Sequence, residues 1–66
     1  MNLRVYSLRD SKVLSFAPPF CCQTEAQAIR MVGDLINGDL QSPVAKHPDD
    51  FELFFLGVWD DDTGVS

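Results

Sequence analysis

Phe51-Glu52-Leu53-Phe54-Phe55-Leu56-Gly57-Val58-Trp59 is the most hydrophobic stretch of this 66-residue chain, and how it folds decides the rest. Its length suits a strand better than a helix, and its Phe, Val and Trp content favours a pleated surface. In strand alternation, Phe51, Leu53, Phe55 and Trp59 share one face. Phe54, Leu56 and Val58 share the other, with Glu52 at its edge. Both faces are apolar, the pattern of a strand covered on both sides. A chain this short supplies one helix, which covers one face. A second copy is the simplest cover for the other, so Phe54, Leu56 and Val58 are the expected interface of a homodimer or higher oligomer.

Upstream, residues 38–50 read as a polar loop holding Pro43 and Pro48, with His47-Pro48-Asp49-Asp50 making one turn before the strand. A helix precedes it, expected over about 25–37. Thr24 with Gln27 three residues on forms a capping box, and Glu25 suits the positive end of the helix dipole. Ile29, Val32, Ile36 and Leu40, flanked by Ala28 and Leu35, recur at helical spacing. Asn37-Gly38 is the expected stop, with Gly38 in the left-handed conformation. Gly33 costs about 1 kcal/mol inside a helix relative to alanine, which close approach to a sheet or partner helix would offset.

At the start, Leu3-Arg4-Val5-Tyr6-Ser7-Leu8 and Lys12-Val13-Leu14-Ser15-Phe16 read as two strands of a hairpin turning at Arg9-Asp10-Ser11. Ala17-Pro18-Pro19-Phe20 should end the pairing, because proline donates no ladder hydrogen bond. Asp60-Asp61-Asp62-Thr63-Gly64 is a turn opening a last hairpin that Val65-Ser66 barely begins. The expectation is one α+β domain over residues 1–66. Its small antiparallel sheet, an N-terminal hairpin plus a C-terminal strand, packs on one helix in ββαβ(β) order.

Composition narrows the function. A domain of about 60 residues buries only roughly 60% of its unfolded surface, so self-association is a common supplement. Hydrophobic residues make up 45% and charged residues 23%, too apolar a mixture for a disordered chain. No apolar run approaches the roughly 20 residues of a membrane helix, and Met1-Asn2-Leu3-Arg4 lacks a signal peptide's apolar segment. The cytoplasm is the expected compartment, and no membrane partner is expected. Cys21 and Cys22 are adjacent and read as reduced structural residues. With His47 alone they make no zinc site. The Asp60–Asp62 turn lacks the ligand series of a calcium loop. His47 has no nucleophile and acid around it in the pattern. No catalytic residue, metal site or cofactor is expected.

Charge is uneven. Residues 1–33 hold Arg4, Arg9, Lys12 and Arg30 against Asp10 and Glu25, a balance of +2. Residues 34–66 hold Lys46 against eight acids, a balance of −7. The net of −5 argues against indiscriminate binding to nucleic acid, whose affinity comes from phosphate neutralisation. A local basic face remains. Arg4 and Tyr6 share a face of the first strand, Arg9 and Lys12 bracket the turn, and Phe16 falls on the Lys12 face of the second strand. Cations beside aromatic rings are what single-stranded DNA binders use. The bland reading is a solvated edge hairpin whose charges limit aggregation.

Several segments in order resemble the small nonstructural protein of gokushovirus-type microviruses, which are single-stranded DNA phages. They are Val5-Tyr6-Ser7-Leu8-Arg9-Asp10, Pro18-Pro19-Phe20, Ala28-Ile29-Arg30 and Asp34-Leu35-Ile36-Asn37. The longest is Lys46-His47-Pro48-Asp49-Asp50-Phe51-Glu52-Leu53, continuing through Leu56-Gly57 to Asp60-Asp61-Asp62-Thr63-Gly64. Members of that family continue beyond the Thr-Gly turn. The resemblance implies a role in phage genome replication in the bacterial host cytoplasm, with single-stranded DNA as ligand, and transfers no individual residue's role. The expected DNA contacts, taken from the residues, are Arg4, Tyr6, Arg9, Lys12 and Arg30. The rival expectations are an acidic module regulating a host or phage replication protein, and an assembly factor.

Overall fold

A computed structural model describes residues 1–65. Strand β1, Asn2–Asp10, is the centre of the sheet. Along one edge runs β4, Phe51–Asp60, antiparallel, from Asn2 opposite Asp60 to Asp10 opposite Phe51. The other edge is shared by two short strands. These are β2, Ser15–Phe16, pairing at Asp10 and Arg9, and β3, Phe20–Cys22, pairing at Tyr6, Val5 and Arg4. The sheet thus has four strands in three positions, the expected antiparallel α+β arrangement.

The prolines interrupt the return strand without ending it. Flanking them, the Ala17 N–H donates to the Leu8 carbonyl at 2.7 Å, and the buried Ser7 hydroxyl donates to the Ala17 carbonyl at 2.7 Å. These two bonds hold the chain against β1 where Pro18 and Pro19 have no N–H to give, and β3 resumes beyond them. The first turn also differs from expectation. Asp10 stays in β1 and its carboxylate accepts from the Lys12 N–H at 2.9 Å, a side-chain turn of the kind aspartate forms. The turn therefore spans Ser11 to Leu14, where Leu14 takes φ 57°, and Lys12, Val13 and Leu14 lie outside the second strand.

Helix α1 runs Glu25–Gly38. The Gln27 N–H donates to the Thr24 hydroxyl at 3.1 Å, and the Gln27 carboxamide oxygen accepts from the Gln23 N–H at 2.7 Å. The box closes one residue upstream of Thr24. Gly38 remains helical and has no positive φ, contrary to the expected left-handed stop. Asp39, with φ −128°, ends the helix by donating its N–H to the Leu35 carbonyl at 3.2 Å. Thr24→Ala removes the capping oxygen and should lower stability by about 0.5–2 kcal/mol. An unchanged urea midpoint would show that the cap carries no weight.

The segment expected as a loop holds a one-turn helix, α2 at Pro43–Lys46, and a single 3-10 turn at Pro48–Asp50. Ser42 caps α2, Pro43 occupies its first turn, and Val44 is buried. The core is small. Tyr6, Cys22 and Ala28 form its centre, with Phe20 and Leu53 packed against them. Ala28, having only a methyl, brings α1 close to the sheet there.

β4 carries the main departure from expected alternation. Phe55 pairs with Tyr6 and Gly57 with Val5, so Leu56 is an extra residue, a β-bulge. Beyond it the faces exchange. Val58 lies opposite Arg4 on the helix side, and Trp59 lies opposite Leu3 on the open side with Phe54. The expected face of Phe54, Leu56 and Val58 is therefore not one face. Gly57 takes φ +152°, a conformation open to glycine and strained for residues with a Cβ, although a Cβ would meet nothing within 4 Å. Gly57→Ala should cost about 1–3 kcal/mol through backbone strain alone. A urea midpoint equal to that of the wild type would remove the bulge from the account.

The C-terminal turn forms at Asp60–Gly64, with the Asp60 N–H donating to the Val65 carbonyl at 2.8 Å. Val65 forms no strand, and Ser66, the other residue of the expected last strand, lies outside the described residues. The Met1 ammonium donates to Asp61 at 2.7 Å and to Asp62 at 2.9 Å. The hydrogen bond to Asp61, then that to Asp62, raises the amine above its ordinary 8.0. The amine titrates higher in the fold than in the open chain. The clasp is therefore complete below about pH 8 and is lost as pH rises past the raised value.

Candidate nucleic-acid interface

Period-two alternation along β1 sorts the expected contacts onto different surfaces. Arg4 and Tyr6 face the helix side and Arg9 faces the open side. Lys12 sits in the turn at the Arg9 end. Arg30 lies on the outer side of α1, in a shallow concavity with Gln23, Gln27 and Asp34. No single groove holds all five residues.

On the helix side, the Arg4 Nε donates to the Tyr6 hydroxyl at 2.7 Å. The guanidinium carbon lies 4.4 Å from the centre of the Phe55 ring and 5.6 Å from that of Tyr6. The bond to the Tyr6 hydroxyl is the main reason the Arg4 pKa rises further above its usual range, with the Glu25 charge adding to it. Tyr6 is only 2% exposed, so its ring presents no face to a nucleobase. This cluster braces the core: the cation is already spread over the ring beside it.

The open side differs. The Arg9 guanidinium carbon stands 5.8 Å from the centre of the Phe16 ring, within the range of cation–π attraction. Phe16, opposite Arg9 on β2, is half exposed, and it meets Phe54 of β4 edge to face at 5.3 Å and 74°. The only ion pairs among the described residues are those of the Met1 ammonium, so neither Arg9 nor Lys12 is held by a carboxylate. Glu52 lies opposite Arg9 on β4 and is the nearest opposing charge in the register. The patch offers an accessible ring, a second ring behind it, and two cations, which suits stacking on a base beside a phosphate. Phe54, expected at an oligomer interface, emerges here as an aromatic support. Finding it from sequence would have required the register of β4 against β1.

The remaining expected features fall elsewhere. Leu56 and Val58 are exposed at and beyond the bulge. His47 is exposed between α2 and the 3-10 turn. Cys21 is exposed and free, and the buried, free Cys22 donates its thiol to the Thr24 carbonyl at 3.3 Å. Carboxylate oxygens of Asp60, Asp61 and Asp62 lie within 4.8 Å of one another, and two of these residues hold the Met1 ammonium. No helix among the described residues is long and apolar enough to cross a membrane.

The family model described as Phage ORF5 protein matches residues 3–66. No curated protein matches, and no solved structure matches.

Proposed function

The chain belongs to the Phage ORF5 protein family, and from that premise we propose that it serves replication of a single-stranded DNA phage genome by binding single-stranded DNA. The protein acts without catalysis, as a homo-oligomer, in the cytoplasm of the bacterial host. The observation that carries this reading is the half-exposed Phe16 ring on the open sheet face, under Arg9 and backed by Phe54. Base stacking supplies sequence-tolerant affinity, and the two cations supply phosphate attraction without a strongly basic protein.

Fluorescence anisotropy with a labelled oligothymidine, across a range of salt, tests it. Binding should weaken as salt rises. The log–log slope should be no steeper than about −1.4 per subunit, since each neutralised phosphate on a single strand contributes about −0.7 and the patch has two cations. Absence of binding at low salt would sink the proposal. The acidic second half of the chain would then favour docking onto a basic replication protein, seen as co-purification of that protein and loss of the complex at high salt.

A further inference from the structure

Helix α1 carries more apolar surface than the sheet beneath it covers. Ala28 is buried and Val32 and Ile36 are partly buried, while Ile29 is 59% exposed; Leu40, two residues past the end of the helix, is 69% exposed. Gly33 lies on the same flank, one turn beyond Ile29. A Cβ added to Gly33 would meet no atom within 4 Å, and its φ is not positive. Nothing inside the chain asks for glycine in the middle of this helix, so its cost there has no internal compensation. Beside this flank opens a groove of about 230 Å³, lined by Leu8, Val32, Ile36, Val44 and Phe51 among others. The opposite flank has its own groove against Pro18 and Phe20, where Met31 and Leu35 are less exposed than Ile29 and no glycine interrupts the helix.

The whole molecule is correspondingly open. It exposes 4719 Å², where a compact chain of 7.4 kDa exposes about 4,200 Å². Its radius of gyration is 12.6 Å, against about 10.8 Å for a compact domain of this length. The excess of roughly 500 Å² is a large part of the roughly 800 Å² that each partner buries in a standard interface.

We infer that α1 is the interface of a two-fold homodimer, in which two copies cross helix on helix at Gly33. Glycine at the crossing lets the backbones approach, and Ile29 of each copy fills the groove of the other. The contact is isologous, the same patch on both copies, and closes at two subunits. It deepens the self-association part of the proposed function and leaves the Arg9–Phe16 patch, on the other side of the sheet, uncovered.

Sedimentation and light scattering over a concentration series test it on the full chain. The wild type should run at twice 7.4 kDa. Gly33→Ala should weaken the dimer at least tenfold. Were Gly33 merely a flaw in a monomer, the same change would raise Tm by roughly 4–8 °C without altering the mass. Ile29→Glu alters a side chain already in water within one copy, and should give a folded monomer by circular dichroism. A wild type at monomer mass throughout, a mass above two subunits, or full dimer retention by both variants would overturn the inference. An Ile29→Glu monomer that still binds oligothymidine through each subunit keeps the DNA proposal standing alone. A dimer that binds no DNA keeps the interface standing alone.

Discussion

Tyr6→Ala is expected to remove a large share of the protein's stability. The ring sits on the central strand between Phe20 and Phe55, at centroid distances of 6.2 and 5.5 Å, and belongs to the buried cluster with Cys22 and Ala28. Truncating a buried aromatic ring costs about 3–5 kcal/mol. At roughly 0.05–0.15 kcal/mol per residue, a chain of this length holds only about 3–10 kcal/mol of stability. Loss of the ring also takes the hydroxyl that holds Arg4 over Phe55. Tyr6→Phe keeps the ring and loses only that bond to a solvent-screened guanidinium, so its urea midpoint should fall far less than that of Tyr6→Ala. Far-UV circular dichroism and urea titration separate the pair. A Tyr6→Ala protein with a cooperative transition near the wild-type midpoint would show that the core lies elsewhere. The result bears on function too: loss of DNA binding in that variant would report unfolding, because the ring has no face for a base.

What the sequence reveals and what it hides divide by range. The Thr24–Gln27 cap is a contact three residues apart, and it forms where the pattern puts it. Strand β4 is legible from composition, yet its bulge is not, because register is settled by pairing with β1 some fifty residues away. Gly57 was the one local sign, since glycine inside a strand marks a bulge or close approach. Pro18 and Pro19 do break the ladder. The resumption at β3 depends on Ser7, a side chain ten residues upstream that no local window connects to Ala17. The short helix α2 was in reach, since Ser42-Pro43 is the sequence of an N-cap followed by a first-turn proline. For the site, alternation along β1 already separates Arg4 and Tyr6 from Arg9. Treating the cations as one surface overlooked that parity. The meeting of Phe16 with Phe54 was hidden, because it joins strands from opposite ends of the chain through β1.

The largest functional effect is expected at Phe16. A base stacked on an aromatic side chain contributes about 1–3 kcal/mol, so Phe16→Ala should weaken oligothymidine binding by roughly 5- to 150-fold with little change in salt slope. Phe16 is half exposed on a two-residue strand, and its loss should leave the fold intact by circular dichroism. Arg9→Ala and Lys12→Ala should each flatten the slope by about 0.7, and their effects should be alike for all base sequences. Arg30→Ala should leave the slope unchanged, since that side chain is on the outer side of α1. Arg4 is the sharper control, because it is a cation of the same strand facing the other way. If Arg4→Ala flattens the slope and Arg9→Ala does not, the binding surface is on the helix side. The half-exposed Phe55, beneath Arg4, would then be the ring on which the base stacks.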